Sequence, residues 1–111
     1  MGAGTDGAEA FERRAAEAAR ERYLLRLFVA GVTPRGSGAL ARVRALCEEH
    51  LPGRYDLEVV DIYQHPGLAV EHQIVVTPTL VKVLPLPVRR LVGDLLETEH
   101  VLRGLNLRRP G

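Results

Sequence analysis

The residues able to do chemistry are few and scattered. They are one thiol, Cys47, four imidazoles, His50, His65, His72 and His100, and the acids Asp61, Asp94, Glu97 and Glu99. A single thiol cannot close an internal disulfide or form a Cys-x-x-Cys pair, which fits a reducing compartment. The histidines do not pair at metal-ligand spacing on any predicted element, so they read as surface or capping residues and no metal is expected. No matching base accompanies the acids, and no Ser/His/Asp arrangement can be drawn. Gly36-Ser37-Gly38 is too short to cradle a phosphate, and no Gly-Lys-Ser/Thr follows it. What remains is charge: Arg89-Arg90 and the terminal Arg103, Arg108 and Arg109 make basic spots. Solvated charge is their default reading and a partner-facing patch the alternative. Nucleic acid is the weaker reading, because no aromatic residues interleave them. No catalytic residue and no cofactor are expected.

The bulk composition agrees with a small binding domain. At 111 residues the chain suits one domain, large enough to bury a core without staples. Its 26% of charged residues balance to a net +1, so no global field draws it to nucleic acid or membrane. No apolar run approaches the ~20 residues of a membrane helix. The N-terminus carries Glu12, Arg13, Arg14 and Glu17 in place of an apolar signal region, and a cytoplasmic protein is expected.

The elements follow from hydrophobic periodicity. Residues 1–22 are Gly-rich, then rich in Ala, Glu and Arg, with Asp6 and Glu9 resembling a capping box. Phe11 is the one large apolar residue from Ala8 to Arg22, so a solvated, partly helical extension is expected, with an added docking segment as the alternative. Tyr23–Val29 is apolar on both faces, as an inner strand is. Ser37 is a candidate cap for a helix showing Leu40, Val43, Cys47 and Leu51, which Pro52-Gly53 stops. Leu57–Ile62 is a second strand, completing a βαβ unit. Pro66 opens a short helix from Leu68 to about His72, and Leu80–Leu84 is a third strand followed by Pro85 and Pro87 around Leu86. Two periods fit the remainder. Val88, Leu91, Val92 and Leu95 make a helical face, yet 88–94 also reads as an edge strand. Val101, Leu102 and Leu105 suit a helix over 97–107, yet Val101, Arg103, Leu105 and Leu107 alternate as a strand does.

Thr77-Pro78-Thr79-Leu80 before an apolar strand resembles the cis-proline turn of thioredoxin-like domains. The expected fold is accordingly α/β, a thioredoxin-like β-α-β-α-β-β-α domain over 23–107, with 108–111 a basic tail. Redox chemistry would need a cysteine at the start of the first helix, where Thr33-Pro-Arg-Gly-Ser-Gly38 has none. Cys47 falls about two turns later on the apolar face, the setting of a buried inert thiol. A thioredoxin-like enzyme is therefore disfavoured.

Tyr23–Pro34, Val60-Asp-Ile62 and above all the segment Lys82–Asp94 within Thr77–Leu95 resemble the KaiB family of clock proteins and its bacterial relatives. The likeness runs from Tyr23 to about Leu107. It implies a non-catalytic regulator that binds the N-terminal ATPase ring of a KaiC-type, RecA-like hexamer. It also implies recruitment of KaiA or competition with a histidine kinase, and self-association to a dimer or tetramer. Family members switch folds. The free form has a β-α-β-β-α-α-β arrangement with 88–95 helical and a terminal strand; the bound, thioredoxin-like form exchanges the two. The resemblance assigns Tyr55 to the partner surface, and the basic pair Arg89 and Arg90 joins it as a candidate for partner binding. It assigns Pro78, Pro85, Pro87, Gly104 and Asn106 to turns or the fold switch, with Asn106 standing where the family has Asp. Glu58 replaces a common lysine, a charge reversal that weighs against KaiA. The basic tail and the extension suggest a relative outside the cyanobacterial clock, serving stress or metabolic timing, or a fixed sensor-type module.

Overall fold

The first strand, β1 (Tyr23–Val29), sits in the middle of the sheet because it can be covered on both sides. Residues 21–93 and 95–107 are described by a computed structural model of the chain. The Asp6–Glu9 box, Asp94 and the tail 108–111 lie outside the described residues. Alternate β1 side chains diverge. Tyr23, Leu25, Leu27 and Val29 enter the larger core, while Phe28 enters a smaller one on the opposite face.

β1 pairs in parallel with β2 (Tyr55–Asp61) and antiparallel with β3 (Thr79–Leu84), which pairs antiparallel with β4 (Arg89–Val92). The order across the sheet is β2-β1-β3-β4. Helix α1 (Pro34–His50) packs Ala39, Val43, Leu46 and Cys47 on the larger core, where α3 (Thr98–Gly104) adds Val101 and Leu102. The short α2 (Pro66–Glu71) covers the other face through Leu68. Among the described residues this is the thioredoxin-like β-α-β-α-β-β-α order.

α1 begins a turn earlier than the Ser37 cap would place it. Thr33 is the cap: its Oγ1 accepts from the Gly36 amide at 3.0 Å, and Pro34 fills the first helical position. Ser37 lies inside the helix, its amide donating to the Thr33 carbonyl at 2.9 Å.

Of the two periods at the C-terminal end, the strand prevails at 89–92 and the helix at 98–104. β4 needs to bury only Leu91, leaving Val88 and Val92 half exposed, because its backbone groups are satisfied by the β3 ladder. Val101, Leu102 and Leu105 fill the larger core beside α1, which an alternating strand of the same residues would not do.

α3 ends in a Schellman arrangement. The Leu107 amide donates to the Leu102 carbonyl at 2.7 Å and the Asn106 amide to that of Arg103 at 3.0 Å, with Asn106 at φ 62. Asn tolerates that left-handed conformation, and a neutral carboxamide avoids placing a negative charge at the helix C-terminus. Gly104 lets α3 close on β4: a Cβ there would stand 2.3 Å from a methyl carbon of Leu91.

Candidate functional site

The proline turn and the start of α1 converge at one end of the sheet. The Thr77–Pro78 bond is cis, as are Leu84–Pro85 and Leu86–Pro87. The Pro78 carbonyl accepts from the Gly93 amide at 2.9 Å, and Thr79 Oγ1 donates to the Val76 carbonyl at 2.8 Å, so the turn is tied to both flanking segments. A cleft of about 230 Å³ lies between this turn and α1, lined by Thr33, Arg35, Gly36, Thr77 and Pro78. Its lining holds no thiol.

Cys47 points into the larger core instead. Burial, assisted by the neighbouring Glu48, pushes its thiol pKa up to about 12. An ordinary thiol titrates near 9.0 and gives enough thiolate at pH 8 to react. Cys47 is therefore expected to resist DTNB at pH 8 in the native chain and to react fully once urea unfolds it. Fast native labelling would contradict this placement.

The proposed partner-binding residues are divided between two edges. Tyr55 opens β2, and its phenol donates to Glu48 at 2.5 Å; this bond raises the phenol pKa. Arg89 and Arg90 lie on β4. With β1 and β3 between them, the two edges are about 14 Å apart, three strand spacings. The structure therefore places Arg89 and Arg90 on one edge but on opposite faces of the sheet, Arg89 on the side of Leu91 and Arg90 on the side of Val81, and leaves Tyr55 apart from both. Arg90 is also engaged: its Nη1 donates to the His72 carbonyl at 3.0 Å and the Gln73 carbonyl at 3.3 Å. Pro78 is buried in the turn, and Pro85 and Pro87 flank the β3–β4 connection, where Leu86 is exposed. Gly104 and Asn106 sit at the end of α3, against Leu91 and at the helix stop respectively.

The β2 edge is laced by arginines. Arg22, counted from sequence with the extension, donates to Asp56 at 2.9 Å and to the Gly53 carbonyl at 3.1 Å; its hydrogen bond, assisted by its charge, holds the Asp56 carboxyl below the usual range. Glu58, the reversed charge on this surface, is paired with Arg26 at 3.3 Å. It is thus partly neutralised within the chain.

Two histidines depart from the surface reading. The His50 side chain is nearly buried in the last turn of α1. His72 stacks obliquely on Phe28, with ring centroids 5.6 Å apart, and its Nε2 lies 3.0 Å from Arg26 Nη1. An arginine can only donate, so Nε2 is the acceptor. For His72 the reason is tertiary: the end of α2 folds its ring onto Phe28 of the sheet.

Lys82 was hidden by its apolar neighbours in sequence. It faces the larger core between Leu25 and Arg89 and is 2% exposed, with no hydrogen bond or ion pair to a described residue. Burial, then the nearby Arg89, lowers its pKa from the ordinary 10.5, while Glu21 acts the other way. No group of His, Cys, Asp and Glu among the described residues is arranged to hold a metal. No described helix is long and apolar enough to cross a membrane.

Sheet order, helix placement and proline turn define a thioredoxin-like domain whose first helix begins without a cysteine. Solved structures agree on the fold. The N-terminal domain of SasA from Synechococcus elongatus superposes with a TM-score of 0.63 at 26% identity, covering 82% of this chain and 90% of that one. Mitochondrial thioredoxin 3 from Saccharomyces cerevisiae superposes at 0.62 with 14% identity over 85% of this chain and 87% of that one, which speaks to fold alone. The KaiB domain matches residues 26–107. The circadian clock oscillator protein KaiB of Prochlorococcus marinus strain MIT 9312 is 50% identical over 90 residues, 81% of this chain and 86% of that protein. That of Synechococcus elongatus is 50% identical over 88 residues, 79% of this chain and 86% of that protein. The chain belongs to the KaiB family.

Proposed function

We propose that this chain is a non-catalytic clock or timing regulator that binds the N-terminal ATPase ring of a KaiC-type hexamer in its thioredoxin-like form. The observation that supports it most is the half-identity to clock oscillator proteins across 88–90 residues, together with the KaiB domain match over 26–107, a range that includes β4 and α3. Residues 23–107 act as the binding domain, 1–22 as an extension, and the protein works in the cytoplasm. Arg89 and Arg90, on opposite faces of an edge strand, supply cationic contacts at one edge of the sheet. Tyr55 supplies a contact on the other, available to KaiA or to a competing kinase.

Binding selects one arrangement. If the free chain also populates the alternative fold as a dimer or tetramer, the apparent affinity falls by the fraction held there. Incubation with the cognate KaiC-type protein and ATP, followed by native mass spectrometry, is expected to show the hexamer carrying this chain. No complex after prolonged incubation would overturn the proposal.

A second reading, a fixed sensor-type module that does not switch, is favoured by the likeness to the SasA N-terminal domain. A single set of amide NMR signals with a helical 98–104 supports it; two sets, or a tetramer on sizing, support switching.

A further inference from the structure

The parallel strands β1 and β2 end in loops that enclose a second cleft, on the opposite side of the α1 N-terminus from the proline turn. Its volume is about 280 Å³, just below the usual ~300–1,000 Å³ of ligand pockets and suited to one long side chain. Val29, Leu40 and Val59 form apolar walls, and Gln64 and His65 add a carboxamide and an imidazole. Asp61 is the acid in the lining. Its Oδ1 accepts from the Gly31 amide at 3.2 Å and the Tyr63 amide at 2.9 Å, which fixes the carboxylate in place. Its Oδ2 accepts nothing from the described residues. Val32 beside the cleft is 99% exposed, and Tyr63, whose ring lies over Gly31, is 75% exposed.

We propose that this cleft is a subsite for an arginine side chain of a protein partner. The apolar walls match the aliphatic stem, the free carboxylate oxygen matches the guanidinium, and the exposed Tyr63 ring offers a face on which a planar cation stacks. An anion fits less well. The N-terminus of α1 carries about half a positive charge, less than the full negative charge of Asp61. Its first-turn donors are also largely spent. Pro34 has none, the Gly36 amide is on Thr33 Oγ1, and the Ser37 amide is on the Thr33 carbonyl. The assignment rests on reading the chain as a protein-binding module, not on the ring as its partner.

The test titrates N-acetyl-arginine amide into the isotope-labelled full chain and follows amide NMR shifts. Saturable shifts at Gly31, Val32 and Tyr63 are expected, with the uncharged citrulline analogue at least about fivefold weaker, as loss of a charge-assisted contact requires. Asp61→Asn, which keeps the acceptor for the two amides, is expected to abolish saturation with the rest of the spectrum unchanged. Val59→Ser, which shortens a wall, should weaken binding while leaving the carboxylate intact. No saturation at these amides, or citrulline binding as tightly as arginine, would overturn the proposal. So would an Asp61→Asn chain that binds like the parent. A lysine analogue binding equally well would overturn the choice of arginine. The titration uses the chain alone, so its failure leaves the ring-binding test standing, and the reverse holds.

Discussion

Phe28→Ala is expected to lower the unfolding free energy by about 3–5 kcal/mol, the usual cost of emptying a fully buried aromatic site. Phe28 is 0% exposed and is the largest member of the core beneath α2. It is paired across the sheet with Val60 on β2 and Thr79 on β3. That core has only Val60 and Val81 as further buried members, so little remains to collapse into the space. The ring also supports His72, whose carbonyl holds Arg90. Losing it should loosen the end of α2 along with the sheet face. Urea unfolding followed by circular dichroism measures the effect; against a typical total of about 5–15 kcal/mol, the variant is left marginal. A loss under about 1 kcal/mol would mean that this face is not closed as described.

Lys82→Met is expected to act in the opposite direction, raising stability by up to about 1 kcal/mol at pH 7. The Lys82 stem is buried, but no described side-chain nitrogen is both buried and unpartnered, so its ammonium keeps some solvent; an apolar side chain of similar length removes a partial desolvation cost that Glu21 offsets only in part. The pH dependence carries a second signature. With the Lys82 pKa lowered by burial and Arg89, the folded chain releases this proton at a pH where the unfolded chain, titrating near 10.5, still holds it. The unfolded state then binds more protons, so this residue makes stability rise with pH in the alkaline range just below 10.5, its cost being complete at neutral pH. Tyr23 has the opposite sign. Its phenol donates to the Leu105 carbonyl and is raised above 10.0 by burial, so above that pH the unfolded chain ionises first and stability falls. In Lys82→Met the alkaline rise should vanish and the Tyr23 fall remain. Urea midpoints at pH 7, 10 and 11 measure both, and a variant less stable than the parent at pH 7 would contradict a desolvation cost at Lys82.

Lys82 lies within the segment carrying the family resemblance. Removing the charge is expected to stabilise the arrangement in which β3 lies between β1 and β4, since those contacts bury the Lys82 stem. Asn106 acts in the same direction, since it stops α3 in the left-handed conformation without a charge at the helix end.

Tyr23–Val29 carries its own instructions: seven residues apolar on both faces have nowhere to go but the middle of a sheet, and β1 is there. The helical face of Val43, Cys47 and Leu51 is equally local, as is the proline turn at Thr77–Thr79. The missing cysteine at the start of α1 is read directly from residue types. Those features depend on contacts within a few turns of chain, which periodicity records. Residues 88–107 were different, because both periods are present and each buries a comparable number of apolar side chains. In the structure described here, the β3 ladder and the opening beside α1 select strand and helix, contacts far apart in sequence. The same dependence hid the burial of Lys82, the ring of His72 on Phe28, the division of Tyr55 from Arg89 and Arg90, and the carboxylate of Asp61 turned onto two loop amides. Sequence by itself determined the alternation of elements and the absence of a redox thiol. Only tertiary structure decided which side chains share a face, because sheet order and loop closure set that neighbourhood, and neither leaves a local period.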